Sequence, residues 1–338
     1  MIKGEINSIK NLFLLKNYTT PMKRILSLLT LLLFITACDD GDLTVDVIDF
    51  SEAPALKCPV KDVIYKVKGS EMLFIEIPST YFTENETLPD EPIEVALSTT
   101  VKVTYRKYDD TVTQLNICPT VPDGTPNVVE EWKASSGIIQ IKATAIKTTD
   151  TTTGATKITG YIYNITFKNI TFEKPAGPQG YETFPFGNYS TTISPLAFGF
   201  DDQADKSTCD DRIFNFSGSE ALILDVGTNY PTLFASTVTT TPRTALIDST
   251  NKLTYKLFTN TVNNTYFCAT TPPATPTLSQ EWNAENGVEA VSGIIEVTTT
   301  TFGSDYQHTV HLRNVILRKG NSTFTLGNDY LYGSFITP

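Results

Sequence analysis

The chain is poor in the side chains that carry most chemistry at neutral pH. Of its 338 residues only two are histidine, three methionine and two tryptophan, so imidazole-based catalysis and histidine-rich metal centres start with little material. Positive charge is also scarce: 26 Lys+Arg stand against 37 Asp+Glu, a net charge of -11. That balance excludes a phosphate backbone, and hence nucleic acid, as a partner. Beyond residue 37 there is no G-x-S-x-G, H-E-x-x-H, G-x-x-x-x-G-K or dinucleotide glycine pattern, so the chain is expected not to be an enzyme and to need no cofactor or metal. The one long apolar run, Ile25 to Ile35, is too short to span a bilayer. What remains is 40% hydrophobic and 19% charged, rich in threonine, with length for two globular domains.

The apolar run has a purpose of its own. Met22-Lys23-Arg24 precedes it and Thr36-Ala37-Cys38 follows it, which is the n-region, h-region and cut site of a secretory signal. Ile35-Thr36-Ala37-Cys38 resembles the lipobox of bacterial lipoproteins, which implies lipidation of Cys38 and cleavage before it. Two or three acyl chains, at about 0.8 kcal/mol per buried CH₂, anchor a protein stably where one does not. Met22 is the expected start, with residues 1–37 an upstream extension plus signal peptide and 38–43 the lipidated tether. Asp39, Asp40 and Asp42 form an acidic cluster that resembles the export signal of Bacteroidota surface lipoproteins. Cleavage removes five basic residues and one acidic one, taking the charge to -15, a solubilising surface for an exposed protein.

The body repeats itself. Cys58 and Cys118 are 60 apart, Cys209 and Cys268 are 59 apart. Gly69-Ser70-Glu71 recurs as Gly218-Ser219-Glu220, Val103-Thr104-Tyr105-Arg106 as Leu253-Thr254-Tyr255-Lys256, and Glu131-Trp132 as Glu281-Trp282. Ser136-Gly137-Ile138-Ile139 matches Ser292-Gly293-Ile294-Ile295, and Lys168-Asn169-Ile170 matches Arg313-Asn314-Val315. Val47-Ile48-Asp49-Phe50 precedes the first cysteine as Ala197-Phe198-Gly199-Phe200 precedes the third. Matches in one order across the whole unit predict an internal duplication, with domains at 44–192 and 193–338. The residue alternation has period two, as in Tyr161, Tyr163, Ile165 and Phe167 against Asn164 and Thr166, so the expectation is all-β. Each copy is expected to be an antiparallel β-sandwich of seven to nine strands, Ig-like in architecture only. An exported chain meets oxidising conditions, and the duplication selects Cys58–Cys118 and Cys209–Cys268 as its two disulfides. The tryptophans follow the second cysteine of each copy, unlike an immunoglobulin domain.

Candidate sites are few. Glu131-Trp132 and Glu281-Trp282 place an aromatic face beside a carboxylate, suited to a sugar ring, although a tryptophan kept in both copies reads first as a core anchor. His308 and His311 are three apart on a predicted strand and point to opposite faces, which excludes a shared metal. Asp201, Asp202 and Asp205, with Asp210 and Asp211, offer oxygens for calcium but lack the glycine turn and closing glutamate of an EF-hand loop. Asp110-Thr111-Val112, Asp150-Thr151-Thr152 and Asp248-Ser249-Thr250 resemble O-glycosylation acceptors of Bacteroidota.

From Cys38 onward the chain resembles surface lipoproteins of flavobacteria that begin Cys-Asp-Asp-Gly-Asp, as Cys38 to Asp42 do, and carry a Glu-Trp or Glu-x-Trp element before a Ser-Gly strand. The resemblance implies an outer-membrane, surface-exposed location and supplies no activity, ligand or catalytic residue. The expected function is a non-catalytic binding, adhesion or structural module with a membrane anchor and a glycan or protein ligand. The alternative is a glycan-binding accessory or glycan-processing component.

Overall fold

Alternating and continuous apolar runs both end as strands. The computed structural model describes residues 47–271 and 273–338, and the architecture below is that of the unit Phe50–Pro338. Cys38, Asp39, Asp40 and Asp42 lie outside the described residues. The chain is all-β and sandwich-like, and among the described residues the helices are short turns such as α1 (Tyr230–Leu233) and α2 (Asn264–Cys268).

The first half contains β1 (Leu56–Lys57), β2 (Val63–Lys68), β3 (Glu71–Glu76), β4 (Ile93–Ala96), β5 (Lys102–Tyr108), β6 (Val128–Thr149), β7 (Thr156–Glu173) and β8 (Gln179–Thr192). They form one antiparallel eight-stranded sheet in the order β1-β2-β3-β5-β6-β7-β8, with β4 on β6. The front of β6 pairs with β5 and its back with β4. Register shifts between Ala134 and Ile138 mark where it turns from one layer to the other.

In the second half the corresponding strands are cut at those turns. Its strands are β9 (Asp205–Lys206), β10 (Ile213–Ser217), β11 (Glu220–Asp225), β12 (Arg243–Leu246), β13 (Lys252–Phe258), β14 (Leu278–Ala284), β15 (Ile294–Phe302), β16 (Asp305–Arg313), β17 (Ile316–Lys319), β18 (Ser322–Thr325) and β19 (Tyr330–Thr337). The order β18-β17-β14-β13-β11-β10-β9 makes one sheet and β12-β15-β16-β19 the other. The strand count therefore exceeds seven to nine here, because a loop separates β14 from β15 where β6 runs on. The halves share local registers: Tyr105 pairs with Trp132 and Arg106 with Glu131, as Tyr255 pairs with Trp282 and Lys256 with Glu281. Two-residue turns at Gly69-Ser70 and Gly218-Ser219 close equivalent hairpins, with glycine φ of 61° and 57°. Those values are natural for glycine and strained for other residues.

Period two undersells the hairpins β2–β3 and β10–β11. Met72, Leu73, Phe74 and Ile75 are all buried, as are Ala221, Leu222, Ile223 and Leu224, so both faces of these strands are covered. One face meets the main core; the other lies under a flap pinned by a disulfide. In the first half, Cys58, Tyr65, Met72, Phe74, Ile117 and Cys118 form this second cluster. Its counterpart contains Phe214, Ala221, Ile223, Phe258 and Val262, with Phe216, Tyr266 and Phe267 packed against it. The disulfides are Cys58–Cys118 and Cys209–Cys268, the pairing expected from the spacing.

The halves are joined by a polar seam. Asn85 Oδ1 accepts the backbone N–H of Asn321 (2.9 Å) and of Ser322 (3.3 Å), while Ser322 Oγ accepts that of Glu86 (3.0 Å). Thr325 N–H donates to Thr156 Oγ1 (3.0 Å), and Asn328 N–H to the Thr153 carbonyl (2.8 Å). Gly320 is at φ 58°, and a Cβ there would sit 2.6 Å from Asn85 Oδ1, so this close approach requires glycine.

Candidate ligand cavity between the halves

The repeated Glu-Trp elements are packed into the fold, and Trp282 also lines the cavity between the halves. Trp132 and Trp282 are 2% and 3% exposed. Their indole N–H groups donate to Glu130 (2.7 Å) and Gln280 (3.1 Å). Lys174 and Lys319 hold ammonium groups 4.9 and 5.2 Å from the ring centroids, a cation–π arrangement that already occupies the indoles. Glu131 Oε2 accepts from Arg106 Nε at 2.6 Å, and Lys133 lies 2.9 Å from Oε1. Partial burial pushes this carboxyl up, but Lys133 and Arg106 together hold it below its ordinary range. In Glu281 the hydrogen bond from Lys256 (2.9 Å) leads a shift in the same direction. Each carboxylate thus faces a protein cation across a strand pair.

The other singled-out groups are placed with similar economy. His308 is fully buried between Thr299 Oγ1 (2.8 Å) and Thr337 Oγ1 (2.9 Å). His311 Nδ1 lies 2.7 Å from Asp329 on the other face. Asp210 is tied to Arg212 (2.7 Å) and Asp201 caps Gln203 N–H (3.0 Å). Among the described residues no group of three His, Cys, Asp or Glu is arranged to hold a metal ion. Thr111, Thr151 and Ser249 are exposed. In the first two turns and the third alike, the preceding aspartate accepts a backbone N–H from the residues that follow.

A cavity of about 630 Å³ opens between the halves, within the range of small-ligand sites, roughly 300–1,000 Å³. The first half contributes Glu84, Lys157, Ile158 and Tyr161 from β7 and the loop before β4. The second contributes Phe198, Phe200, Asp202, Trp282, Lys319 and Tyr330, among others. Of these, only Trp282 and Asp202 are candidate site residues in the sequence; Tyr161, Phe198 and Phe200 stand there as strand or repeat positions.

Phe198 is the unusual member. Its φ is 51°, a left-handed conformation that costs a bulky L-residue about 1–2 kcal/mol. Glu220, itself buried, holds the chain there: its carboxylate accepts the N–H of Phe198 (3.1 Å) and of Gly199 (3.3 Å), and the Tyr255 hydroxyl (2.5 Å). The Phe198 ring then stacks on Tyr255, with centroids 4.7 Å apart and planes at 13°. Phe324, Phe200 and Tyr330 meet it edge-on. Burial, then the nearby Glu220 charge, push the Tyr330 hydroxyl pKa well up, keeping it a neutral donor. Burial lowers the Lys319 pKa and Glu84 opposes that shift. Sequence reading used Phe198 only as a boundary marker and Glu220 only as a repeat marker; the acid that follows each two-residue turn was the available signal.

No family model, curated protein or solved structure matches the chain.

Proposed function

We propose that the protein is a lipid-anchored, surface-exposed outer-membrane lipoprotein whose body is a duplicated pair of Ig-like β-sandwiches, at 44–192 and 193–338, acting as a non-catalytic binding module. The single observation that carries the reading is the cavity between the halves, since its walls come from both copies and neither copy encloses it alone. The seam at Asn85 and Ser322 fixes those walls relative to one another. Support for the duplication comes from the matched registers around Tyr105–Trp132 and Tyr255–Trp282 and from the two parallel disulfides. Support for the anchor and the surface location comes from the sequence around Cys38, Asp39, Asp40 and Asp42. The membrane partner is engaged through the acyl chains, and the ligand through the cavity.

The test is an array of glycans and matrix proteins probed with the full chain in detergent, beside Ser194→Trp, which places an indole at the cavity rim. Binding that disappears in Ser194→Trp supports the reading. Binding that survives it moves the site elsewhere, and turnover of any arrayed ligand ends the non-catalytic assignment. In cells expressing the full chain, palmitate labelling should vanish in Cys38→Ala, and protease added to whole cells should remove the unmodified protein.

A further inference from the structure

The cavity's chemistry narrows its ligand. Charge at its surface is nearly balanced: Glu84, Asp202 and Asp329 face Lys157 and Lys319. Asp329 is already engaged by His311 and Arg313, and Lys319 donates to Gln280 (3.2 Å) while lying over Trp282. Among the described residues the carboxylates of Glu84 and Asp202 make no hydrogen bond or ion pair. They present acceptors without protein donors, and a carboxylate can only accept. An anion entering here meets these acids, and a cation meets the two lysines. A wholly apolar ligand would lie against Lys319 and beside the exposed Glu84, Lys157 and Asp202 with no group to bond them. A molecule that is neutral, rich in O–H donors and apolar on its ring faces satisfies both the acceptors and the aromatic wall.

Phe198 supplies that wall with a flat plate. One side is closed by Tyr255, and Phe200, Phe324 and Tyr330 pack around the ring; the part of the half-buried ring left uncovered lines the cavity. The φ of 51°, maintained by the buried Glu220 carboxylate, fixes the ring in this place. At the corresponding place in the repeat the first half carries Ile48, so the plate belongs to one half only.

We propose that the cavity binds a neutral oligosaccharide, one ring of which lies on Phe198 while its hydroxyls donate to Glu84 and Asp202; the proposal rests on the cavity being the ligand site. The experiment is titration calorimetry of the full chain in detergent with maltotetraose, cellotetraose, xylotetraose, mannotetraose and chitotetraose. Tetragalacturonate, palmitate and spermine serve as the acidic, apolar and cationic comparators. At least one neutral tetrasaccharide should bind, and Phe198→Gly should weaken it by about tenfold, the scale of a lost ring contact. Glycine accepts the φ of 51°, so this variant removes the ring without adding backbone strain. Its melting temperature should fall by the packing lost against Tyr255 while a single cooperative transition remains, and Phe198→Tyr, which keeps the ring face, should bind more tightly than Phe198→Gly. Binding of a comparator in place of the neutral sugars, abolished by Ser194→Trp, overturns the ligand class and leaves the cavity as the site. Neutral-sugar binding that survives both Phe198→Gly and Ser194→Trp overturns the site itself. Absence of heat with every probe at millimolar concentration overturns the proposal.

Discussion

At the scale of single residues, two buried ionisable groups carry measurable consequences. His308 is enclosed by Phe234 and Phe335 as well as by its two threonines, and burial, with the nearby Arg243 charge, pushes its pKa from 6.5 down to about 4. The unfolded chain therefore takes up a proton as pH falls through 6.5, while the folded chain does so only near 4. The stability contributed by the neutral ring is complete above pH 6.5 and is lost between there and about pH 4, by roughly 3 kcal/mol at 1.36 kcal/mol per pH unit. Urea unfolding at pH 7 and pH 4.5 should show the gap between wild type and His308→Gln shrinking by most of that amount, and a gap independent of pH would exclude His308 as its source. Glu220 is the second group. Truncation in Glu220→Ala orphans the N–H of Phe198 and Gly199 and the hydroxyl of Tyr255, with an expected loss of about 3 kcal/mol in denaturant unfolding. Glu220→Gln keeps one acceptor oxygen and should lose less.

At the scale of elements, the disulfide flap is the device that lets β2–β3 and β10–β11 bury both faces. The crosslink closes a loop of 60 residues between Cys58 and Cys118, which contributes roughly 4 kcal/mol on the chain-entropy account. Paired Cys58→Ala and Cys118→Ala substitutions should lower stability by up to that amount. Limited proteolysis of the variant should cut first within residues 109–127, before β6 to β8. First cleavage within β7 would show that the flap does not open locally. Part of this scale was legible in the sequence: the strand faces of β7 follow from Tyr161, Tyr163, Ile165 and Phe167, whereas Gly69-Ser70 and Gly218-Ser219, which recur in the sequence, carry a turn signal that their role as repeat markers left unused. The doubly buried hairpins were also written there, as the unbroken runs Met72 to Ile75 and Ala221 to Leu224, but alternation is the wrong template for them. The uneven strand count was not legible. Ser136-Gly137 and Ser292-Gly293 read alike, yet β6 carries its irregularity within the ladder whereas Glu285 to Gly293 leaves it.

At the scale of the whole molecule, the halves meet through specific polar contacts, and this is where sequence reading had least purchase. The cavity draws residues from Glu84 to Leu331, so no local spacing reports it; its geometry follows from how the halves pack. The loop at Asn85 has no part in the matched motifs, yet its side chain accepts two backbone N–H groups from the β17–β18 turn, where Gly320 lets the chains approach. Domains joined only by the short link near Thr192-Ile193-Ser194-Pro195 would unfold independently. A seam of several hydrogen bonds, each worth about 0.5–1.5 kcal/mol net, couples them instead. Differential scanning calorimetry of the full chain should therefore give one transition whose calorimetric and van't Hoff enthalpies agree. In Asn85→Ala the N–H groups of Asn321 and Ser322 lose their acceptor. In Gly320→Val a branched side chain is forced against Asn85 at a positive φ. Either substitution should split the transition in two, with the cavity's ligand binding weakened in step because its opposing walls are no longer held in register. Two transitions already present in the wild type would show that the seam does not couple the halves, and would leave the cavity dependent on the linker alone.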